Sequence, residues 1–364
     1  MNNISSSKRI RSLDNLRAFA ILIVVIYHYQ YFISHNNDFG ALSYVGWIGV
    51  DLFFVLSGYL ISSHLFTEFN QGTFSFKTFY LKRFFKTLPN YYFVLILYFT
   101  IPFFPESPVI VPLWKYLFFI QNYNMPISGF SQSWSLCVEE QFYLIFPILI
   151  ILIMRTNKKL LVGFLLTLVI AALALRYTLW QHLEASNNLK DYTTVIYYPT
   201  YCRLDGLICG ILIAYLQSYH LKTWDKIAQY GNVSLIIGII ALTGVIYMVH
   251  DRTSFVSGTI GFPATALAFG IIIISALSYN SLLNKLQLKM LSNLAKWSYA
   301  IYLVQKPISL LVAHWFSQLG FNNNASLIIL ANISIQIFAG WVLFYLVENN
   351  FMKLRNKILS SNML

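Results

Sequence analysis

Long apolar runs follow one another along this chain, and they restrict the kind of fold it can adopt. The first, LRAFAILIVVIYHYQYFI, extends from Leu16 to Ile33. A helix needs about 20 mostly apolar residues to cross the hydrocarbon core of a bilayer. Because 57% of all residues are hydrophobic and only 10% are charged, we predict an all-α polytopic membrane protein with about ten transmembrane helices. Their approximate limits are 14–35, 44–66, 88–104, 134–154, 160–180, 196–217, 231–249, 256–278, 296–316 and 325–347.

The basic residues lie mainly in alternate connections between these runs. Nineteen of the 25 lysines and arginines fall on the side of the N-terminus. Since connections rich in Lys and Arg stay cytoplasmic, we expect both termini inside the cell. Residues 1–13 would be a cytoplasmic segment, 14–348 the transmembrane domain and 349–364 a cytoplasmic tail. The net charge of +12 is first a topology signal, although it also suits anionic lipid or a phosphorylated ligand.

Other parts of the chain exclude some classes of protein. The first apolar run is too long for a cleavable signal peptide and has no small-residue cleavage pattern. The three cysteines fall in apolar or motif-like stretches, so we expect no disulfide framework. No two of them have ligand spacing with a nearby histidine, so we expect no metal site. We interpret 105–133, which holds PLWKYLFFIQNY, as an extracytoplasmic interfacial or re-entrant segment.

Arg17 and His28 form the most informative pair of residues, because both belong to the first apolar run. A histidine inside a membrane helix is costly unless it has a partner or a function. At a rise of roughly 1.5 Å per residue, His28 lies about 16 Å beyond Arg17. If Arg17 marks the inner edge of a core about 30 Å thick, His28 is slightly past mid-depth.

Three further ionisable residues are predicted at a similar level in the outer half of the membrane. Counted from the outer ends of their helices, Asp51 and Arg203 lie near 10 Å and Glu139 near 8 Å. Ionisable groups in a membrane bundle normally face one another or a wet cavity. We therefore expect His28, Asp51, Glu139 and Arg203 to share a cavity.

Structural roles must be weighed beside this functional interpretation. His28 could simply be a hydrogen-bonding residue, and Asp51 could form a purely structural ion pair with Arg203. The basic segment 77–86 is explained most simply as a positively charged cytoplasmic connection. Four other cations receive no role: Arg176, Lys190, Arg252 and Lys306.

Several long motifs resemble those of the integral-membrane acyltransferase-3 family, bacterial proteins that O-acylate cell-surface glycans. The motifs are RSLDNLRAFAILIVVIYHY, GWIGVDLFFVLSGYLIS, FYLKRFFKTLPNYY, SQSWSLCVEEQFYLIFP and YCRLDGLICGILIAY. Lys86 stands where the family usually has a second arginine, and Gln305 stands where it often has a histidine. The resemblance extends from about residue 8 to residue 357 and includes no soluble hydrolase-like domain.

The resemblance implies transfer of an acyl group, most often acetyl, from cytosolic acyl-CoA to a glycan hydroxyl outside the membrane. Cations clamp phosphates, so Arg17, Lys82, Arg83 and Lys86 are the candidate donor-binding residues. The pantetheine arm of acetyl-CoA would then extend beside the first helix towards His28.

His28 is the candidate general base, because imidazole titrates near neutrality and attack by a hydroxyl requires proton removal. Asp51 or Glu139 would orient the ring. Arg203 would stabilise the oxyanion or hold the acceptor. Direct transfer and an acyl-enzyme both remain open, with Ser57 as one possible acyl acceptor.

Two rival functions and several acceptors are compatible with the sequence. A secondary transporter or lipid-intermediate flippase would also have buried charges among ten helices, and a regulatory membrane sensor is a weaker alternative. The acceptor could be lipopolysaccharide O-antigen, capsule or exopolysaccharide, peptidoglycan, or a small molecule, with lipid-linked or surface polysaccharide favoured. We expect partners to be acyl-CoA, a glycan or lipid-linked saccharide, and membrane lipids, without nucleic acid, in the bacterial cytoplasmic (inner) membrane.

Overall fold

A computed structural model describes residues 10–36, 39–102, 104, 111–126, 129–286 and 288–361. These residues form helices and irregular connections without any strand. The helices of eight or more residues are α1 Arg11–Tyr29, α2 Ile48–Asn70, α3 Phe76–Thr100, α4 Trp134–Thr156, α5 Lys158–Ala185, α6 Asp205–Tyr219, α7 Leu221–Ala228, α8 Gly231–Met248, α9 Phe262–Leu277, α10 Lys289–Gln318, α11 Ser326–Leu343 and α12 Asn349–Ser361.

Seven helical segments in the described part are long and apolar enough to cross a membrane. They contain α1, α2, α4, α5, α8, α9 and α11. The chain is therefore a multi-pass helical membrane protein. Each of the other three predicted spans also contains a helix, but α6 is short and apolar, and α3 and α10 carry more charged residues. The total of ten spans and the cytoplasmic position of the termini stay predictions.

The third helix begins much earlier than predicted. It starts at Phe76, not near residue 88, so the basic motif at 79–92 is helical and does not lie in a loop. Ser75 is the residue that precedes the helix, and its side chain accepts a hydrogen bond from the Thr78 backbone N–H, which stabilises a helix start. Lysine and arginine are also good helix formers, so the basic residues before the apolar part are compatible with a helix.

The sixth helix, by contrast, begins later than predicted, at Asp205 and not near residue 196. Proline has no N–H and restricts the residue before it, so Pro199 interrupts regular α-helix here. Short π and 3₁₀ turns occupy Thr193–Tyr197 and Thr200–Cys202. Arg203 consequently lies in the irregular connection just before α6, not about 10 Å inside a helix as predicted.

The segment predicted as interfacial or re-entrant, 105–133, is described only in part, since residues 105–110 and 127–128 lie outside the described residues. The α-helix in its described part, Leu113–Leu117, is far too short to cross. Tyr116 in this helix is buried, and its carbonyl accepts a hydrogen bond from Tyr91 on α3.

Two hydrogen bonds show how α1 is aligned with the later helices. Ser12 at the start of α1 donates to the carbonyl of Ala276 at the end of α9. Tyr29 at the other end of α1 donates to the carbonyl of Asn323, between α10 and α11. We call the end of the bundle that holds Ser12 the basic end, and the end that holds Tyr29 the far end.

Glycines bring α2 and α6 into very close contact. A methyl group on Gly58 would overlap the carbonyl of Leu207, and one on Gly210 would overlap the carbonyl of Val55. Small residues allow membrane helices to approach backbone to backbone. The α2–α6 pair consequently forms a tightly packed unit beside α1.

Candidate active site

A cluster of cations lies near the basic end, where α1 and α3 come together. Arg17 on α1 is within electrostatic range of Arg83 on α3, and Lys86 is within range of both. Glu348 faces Lys86 and accepts a hydrogen bond of 2.7 Å from Asn90 Nδ2. Three of the four predicted donor-binding residues therefore lie together and can attract one anionic group.

Lys82 does not belong to this cation cluster. Its ammonium lies 3.1 Å from Glu68 Oε1, and its side chain is 45% exposed. On a helix, Lys82 is neighbour to Arg83 in sequence but points about 100° away from it. The structure thus separates Lys82 from Arg17, Arg83 and Lys86.

Glu139 also faces the cation cluster. Its Oε1 accepts a hydrogen bond of 2.6 Å from Ser57 Oγ, and Arg17 and Arg83 are within electrostatic range. Among the described residues, no contact joins Glu139 to His28. The expected shared cavity therefore does not bring these two side chains together, because α4 turns Glu139 towards α2 and the cations.

His28 instead contacts α10. Its Nδ1 lies 2.6 Å from Nε2 of Gln305, and its ring is tilted against Phe32. The side chain is partly accessible, and its Nε2 makes no hydrogen bond to the residues that the structure describes. Lys306 and Arg252 are the cations within electrostatic range of the ring.

Lys306, which received no role from the sequence, lies within electrostatic range of this histidine and contacts the same ring, that of Phe32. It is 3% exposed, donates a 2.6 Å hydrogen bond to Ser131 Oγ, and its ammonium lies 3.7 Å from the centre of the Phe32 ring. A buried ammonium in a membrane bundle is costly and usually functional. Lys306 is therefore a candidate site residue that the sequence reasoning missed.

A polar stripe on α10 could have revealed it. Tyr302, Gln305, Lys306 and Ser309 occupy positions i, i+3, i+4 and i+7, so they share one face of the helix, and all four are buried. Tyr302 also bonds to Ser135 at 2.6 Å. Such a stripe on an otherwise apolar helix predicts a polar interface.

Pro307 helps to connect this face of α10 to α4. Because proline has no N–H, the carbonyl four residues earlier, that of Leu303, has no helical partner. The side chain of Gln132 donates to this carbonyl at 3.3 Å. The proline therefore creates an acceptor that joins α10 to the segment leading into α4.

Asp51 and Arg203 form an ion pair with each other. Arg203 Nη2 lies 2.8 Å from Asp51 Oδ1, and both side chains are almost fully buried. The guanidinium carbon lies 3.9 Å from the Phe262 ring centre and 4.6 Å from that of Tyr197. None of these contacts involves His28, so the geometry favours the structural alternative for this pair.

A second buried ion pair, between Arg176 and Asp205, lies near the first, and it received no role from the sequence. Arg176 on α5 bonds to both carboxylate oxygens of Asp205, at 2.6 and 3.1 Å. It also donates to the carbonyl of Cys202. A bidentate contact of this type fixes the orientation of both partners, and here it joins α5 to the start of α6.

Comparison with known proteins identifies relatives with similar sequences. The chain is 29% identical over 339 residues to the O-acetyltransferase OatA of Staphylococcus aureus (strain NCTC 8325 / PS 47), covering 87% of this chain and 53% of that protein. It is 29% identical over 333 residues to the peptidoglycan O-acetyltransferase OatA of Listeria monocytogenes, covering 83% and 50%. It therefore spans about half the length of the curated relatives it matches. No solved structure matches the chain.

The family comparison is more extensive. A family model described as an acyltransferase domain matches residues 10–346, a range that contains the cation cluster, His28 and the polar stripe of α10. The resemblance found in the motifs is thereby confirmed, and the chain belongs to the acyltransferase-3 family.

Proposed function

We propose that this protein is a membrane O-acyltransferase that moves an acyl group, most simply acetyl, from acyl-CoA to a hydroxyl of a cell-surface glycan. One observation carries the proposal. The helix α1 holds Arg17 in a cation cluster and His28, eleven residues later, beside a buried amide and a buried ammonium. A phosphate-binding group and a proton acceptor thus occupy one helix.

The donor would bind through its phosphates to Arg17, Arg83 and Lys86. Arginine forks suit phosphate oxygens, whereas lysine acts as a point charge. The rise from Arg17 to His28 is about 16 Å, comparable to our estimate of roughly 15–20 Å for an extended pantetheine arm. The arm would therefore bring the thioester close to His28.

The chemistry at His28 is an acyl transfer. Its Nε2 removes the proton from the acceptor hydroxyl while the hydroxyl oxygen attacks the thioester carbonyl carbon. Collapse of the tetrahedral intermediate breaks the C–S bond, and the imidazolium returns the proton to the leaving thiolate. The products are the O-acyl ester and free CoA, so no oxidant or further reactant is needed.

Lys306 would stabilise the negative charge that develops on the carbonyl oxygen. A fixed cation in a desolvated site is effective in this role because it needs little reorganisation. Its hydrogen bond to Ser131 holds the ammonium beside His28. Arg203, predicted for this role, is instead bonded to Asp51 and surrounded by aromatic rings.

The acceptor would be reached from the far end, where α1 places His28. The Listeria relative is a peptidoglycan O-acetyltransferase, which supports peptidoglycan. Lipopolysaccharide O-antigen, capsule or exopolysaccharide, and a small molecule are the other candidates. The proposed location is the bacterial cytoplasmic membrane. Base-labile acetate would be measured in each purified polymer from cells with and without the gene, and the polymer that loses acetate identifies the acceptor.

Purified protein in liposomes, supplied with radiolabelled acetyl-CoA and glycan fragments, would test the reaction itself. We expect release of free CoA thiol together with base-labile label on the glycan. His28→Ala should lower this transfer by about 10²- to 10⁴-fold, the usual contribution of a general base. The exposed His314→Ala is the matched control. Normal transfer by a folded His28→Ala protein would refute the assignment.

The same experiment separates the enzyme from the transporter or flippase alternative. A transporter would move labelled substrate across the liposome membrane while the thioester stays intact. We expect thioester loss, since the cation cluster and His28 belong to a chain of the acyltransferase-3 family. Movement of label without release of thiol would favour the rival function.

A further inference from the structure

Gln305 forms a hydrogen bond with one of the two ring nitrogens of His28, Nδ1. Its amide is completely buried on α10 and lies 2.6 Å from His28 Nδ1. The other ring nitrogen, Nε2, makes no hydrogen bond within the described part of the chain, and the histidine is partly accessible. Only Nε2 is therefore available to a substrate.

The direction of the amide decides what Nε2 can do. If the NH₂ group of Gln305 donates to Nδ1, the proton of neutral imidazole must lie on Nε2, which then cannot accept another. If the amide is rotated by 180°, its oxygen accepts from Nδ1–H in the same space, and Nε2 has a free lone pair. The amide oxygen is buried and makes no other hydrogen bond among the described residues, so it can take this role.

We propose that Gln305 is a positioning residue whose amide oxygen accepts the Nδ1–H of His28 and thereby directs the Nε2 lone pair to the acceptor hydroxyl. The inference rests on the proposed function, because only a reaction that needs a base at Nε2 requires this tautomer. It resembles in principle the way a buried carboxylate fixes the tautomer of a histidine base. Here the orienting group is neutral.

The surroundings explain why a neutral group suits this position. The charged groups facing His28 from other elements are Lys306 on α10 and Arg252, which lies between α8 and α9. From α1 itself, Tyr27 faces the ring and accepts a hydrogen bond from Arg252. A carboxylate in place of the amide would still accept from Nδ1–H, but it would also stabilise the imidazolium and so change the pH dependence.

Two substitutions of Gln305 test the direction of this hydrogen bond. Gln305→Met keeps the length of the side chain and removes the acceptor, so kcat should fall on the order of 10- to 100-fold with little change in KM. Gln305→Glu can only accept, so kcat at its optimum should stay within about tenfold of the parent while the acidic limb of the pH–rate profile moves up by about one unit. Gln336→Met, which removes another buried amide on α11, is the control and should change neither quantity.

A second readout does not depend on acyl transfer. Diethyl pyrocarbonate reacts with neutral imidazole, so its labelling of the His28 peptide, followed by mass spectrometry against pH, reports protonation of that ring in the folded protein. We expect the labelling midpoint of Gln305→Glu to lie about one unit above that of the parent. An unchanged midpoint would overturn the contact itself.

The transfer kinetics and the labelling midpoint together distinguish failure of the proposed tautomer from failure of the proposed function. If Gln305→Glu shifts the labelling midpoint but is as inactive as Gln305→Met, the amide donates in the parent, and the proposed tautomer is wrong. If the parent transfers no acyl group to any glycan, the proposed function fails, and the positioning role falls with it even where the midpoint shift supports the contact. A near-parental kcat for both variants would also overturn the proposal.

Discussion

Arg203 Nη2 lies 2.8 Å from Asp51 Oδ1, and both residues are buried. Arg203 has two further nitrogens, Nε and Nη1, without a hydrogen-bond partner among the described residues, and aromatic rings surround its guanidinium. The pair joins α2 to the connection before α6. Because the pair is buried, each charge needs the other to offset the cost of removing it from water.

Removal of one member of this pair should be costly. Asp51→Asn leaves the guanidinium of Arg203 without a counter-charge, so we expect the free energy of unfolding to fall by about 3–5 kcal/mol. Thermal unfolding of the detergent-purified protein would measure the loss. Glu68→Gln breaks the exposed pair with Lys82 and should cost no more than about 1 kcal/mol. Equal losses for the two variants would contradict the importance of burial.

Replacement of both charges tests whether Arg203 also takes part in catalysis. Asp51→Leu combined with Arg203→Met removes the buried charges together, which is often neutral or stabilising. If the pair is structural, the double variant should be more stable than Asp51→Asn and should retain acyl transfer. Loss of transfer in a stable double variant would restore the catalytic role that the sequence suggested for Arg203.

Because Arg83 belongs to the cation cluster and Lys82 does not, substitutions of these two adjacent residues should change the KM for acyl-CoA by different amounts. Arg83→Met removes a guanidinium that lies within electrostatic range of Arg17, so the KM for acyl-CoA should rise about 10- to 100-fold, as expected for a charge-assisted hydrogen bond. Lys82→Met, which removes an exposed ammonium bonded to Glu68, should change it less than about twofold. Equal effects would show that the phosphates bind elsewhere.

The buried ammonium beside His28 should act on turnover more than on donor binding. Lys306→Met should lower kcat by about 10²- to 10³-fold if it stabilises the oxyanion, with a small change in KM. Lys296→Met, an exposed substitution on the same helix, is the matched control. A rise in KM with unchanged kcat would assign Lys306 to substrate binding.

The close contact between α2 and α6 gives a prediction about stability. Gly58→Ala would force a methyl group into the carbonyl of Leu207, so we expect a loss of about 1–3 kcal/mol. Gly244→Ala adds the same methyl group where nothing lies within 4 Å and should be neutral or stabilising. Comparison of the two unfolding temperatures would decide, and a stable Gly58→Ala protein would mean that the helices can separate at no cost.

The apolar runs predicted the positions of the helices well because bilayer thickness fixes their length. They predicted the wrong start for two helices. Ser75 allows α3 to start before its apolar part, and Pro199 prevents α6 from starting near residue 196. Depth along the membrane could also be estimated from a constant rise per residue. The charge distribution and the family resemblance together suggested the group of Arg17, Lys82, Arg83 and Lys86, but they could not show that Lys82 pairs with Glu68 instead.

The partners of His28 could not be predicted from depth alone. Two residues at the same level contact each other only if their helices are also rotated to face one another, and that rotation depends on the packing of the whole bundle. Glu139 and Asp51 are at suitable depths but face elsewhere. Gln305 and Lys306 were distant in sequence, and only their spacing with Tyr302 and Ser309 indicated a shared polar face.

Arg17 and His28 belong to one unbroken helix, so covalent geometry sets the distance between them. Rearrangement of the neighbouring helices can open or close the space around that helix, but it cannot lengthen the span that the donor would cover between Arg17 and His28 in the proposed function. Thioesters on a carrier arm much shorter than this span would therefore be poor donors even with the same acyl group. In the proposed function, selectivity for the carrier would be built into the helix itself.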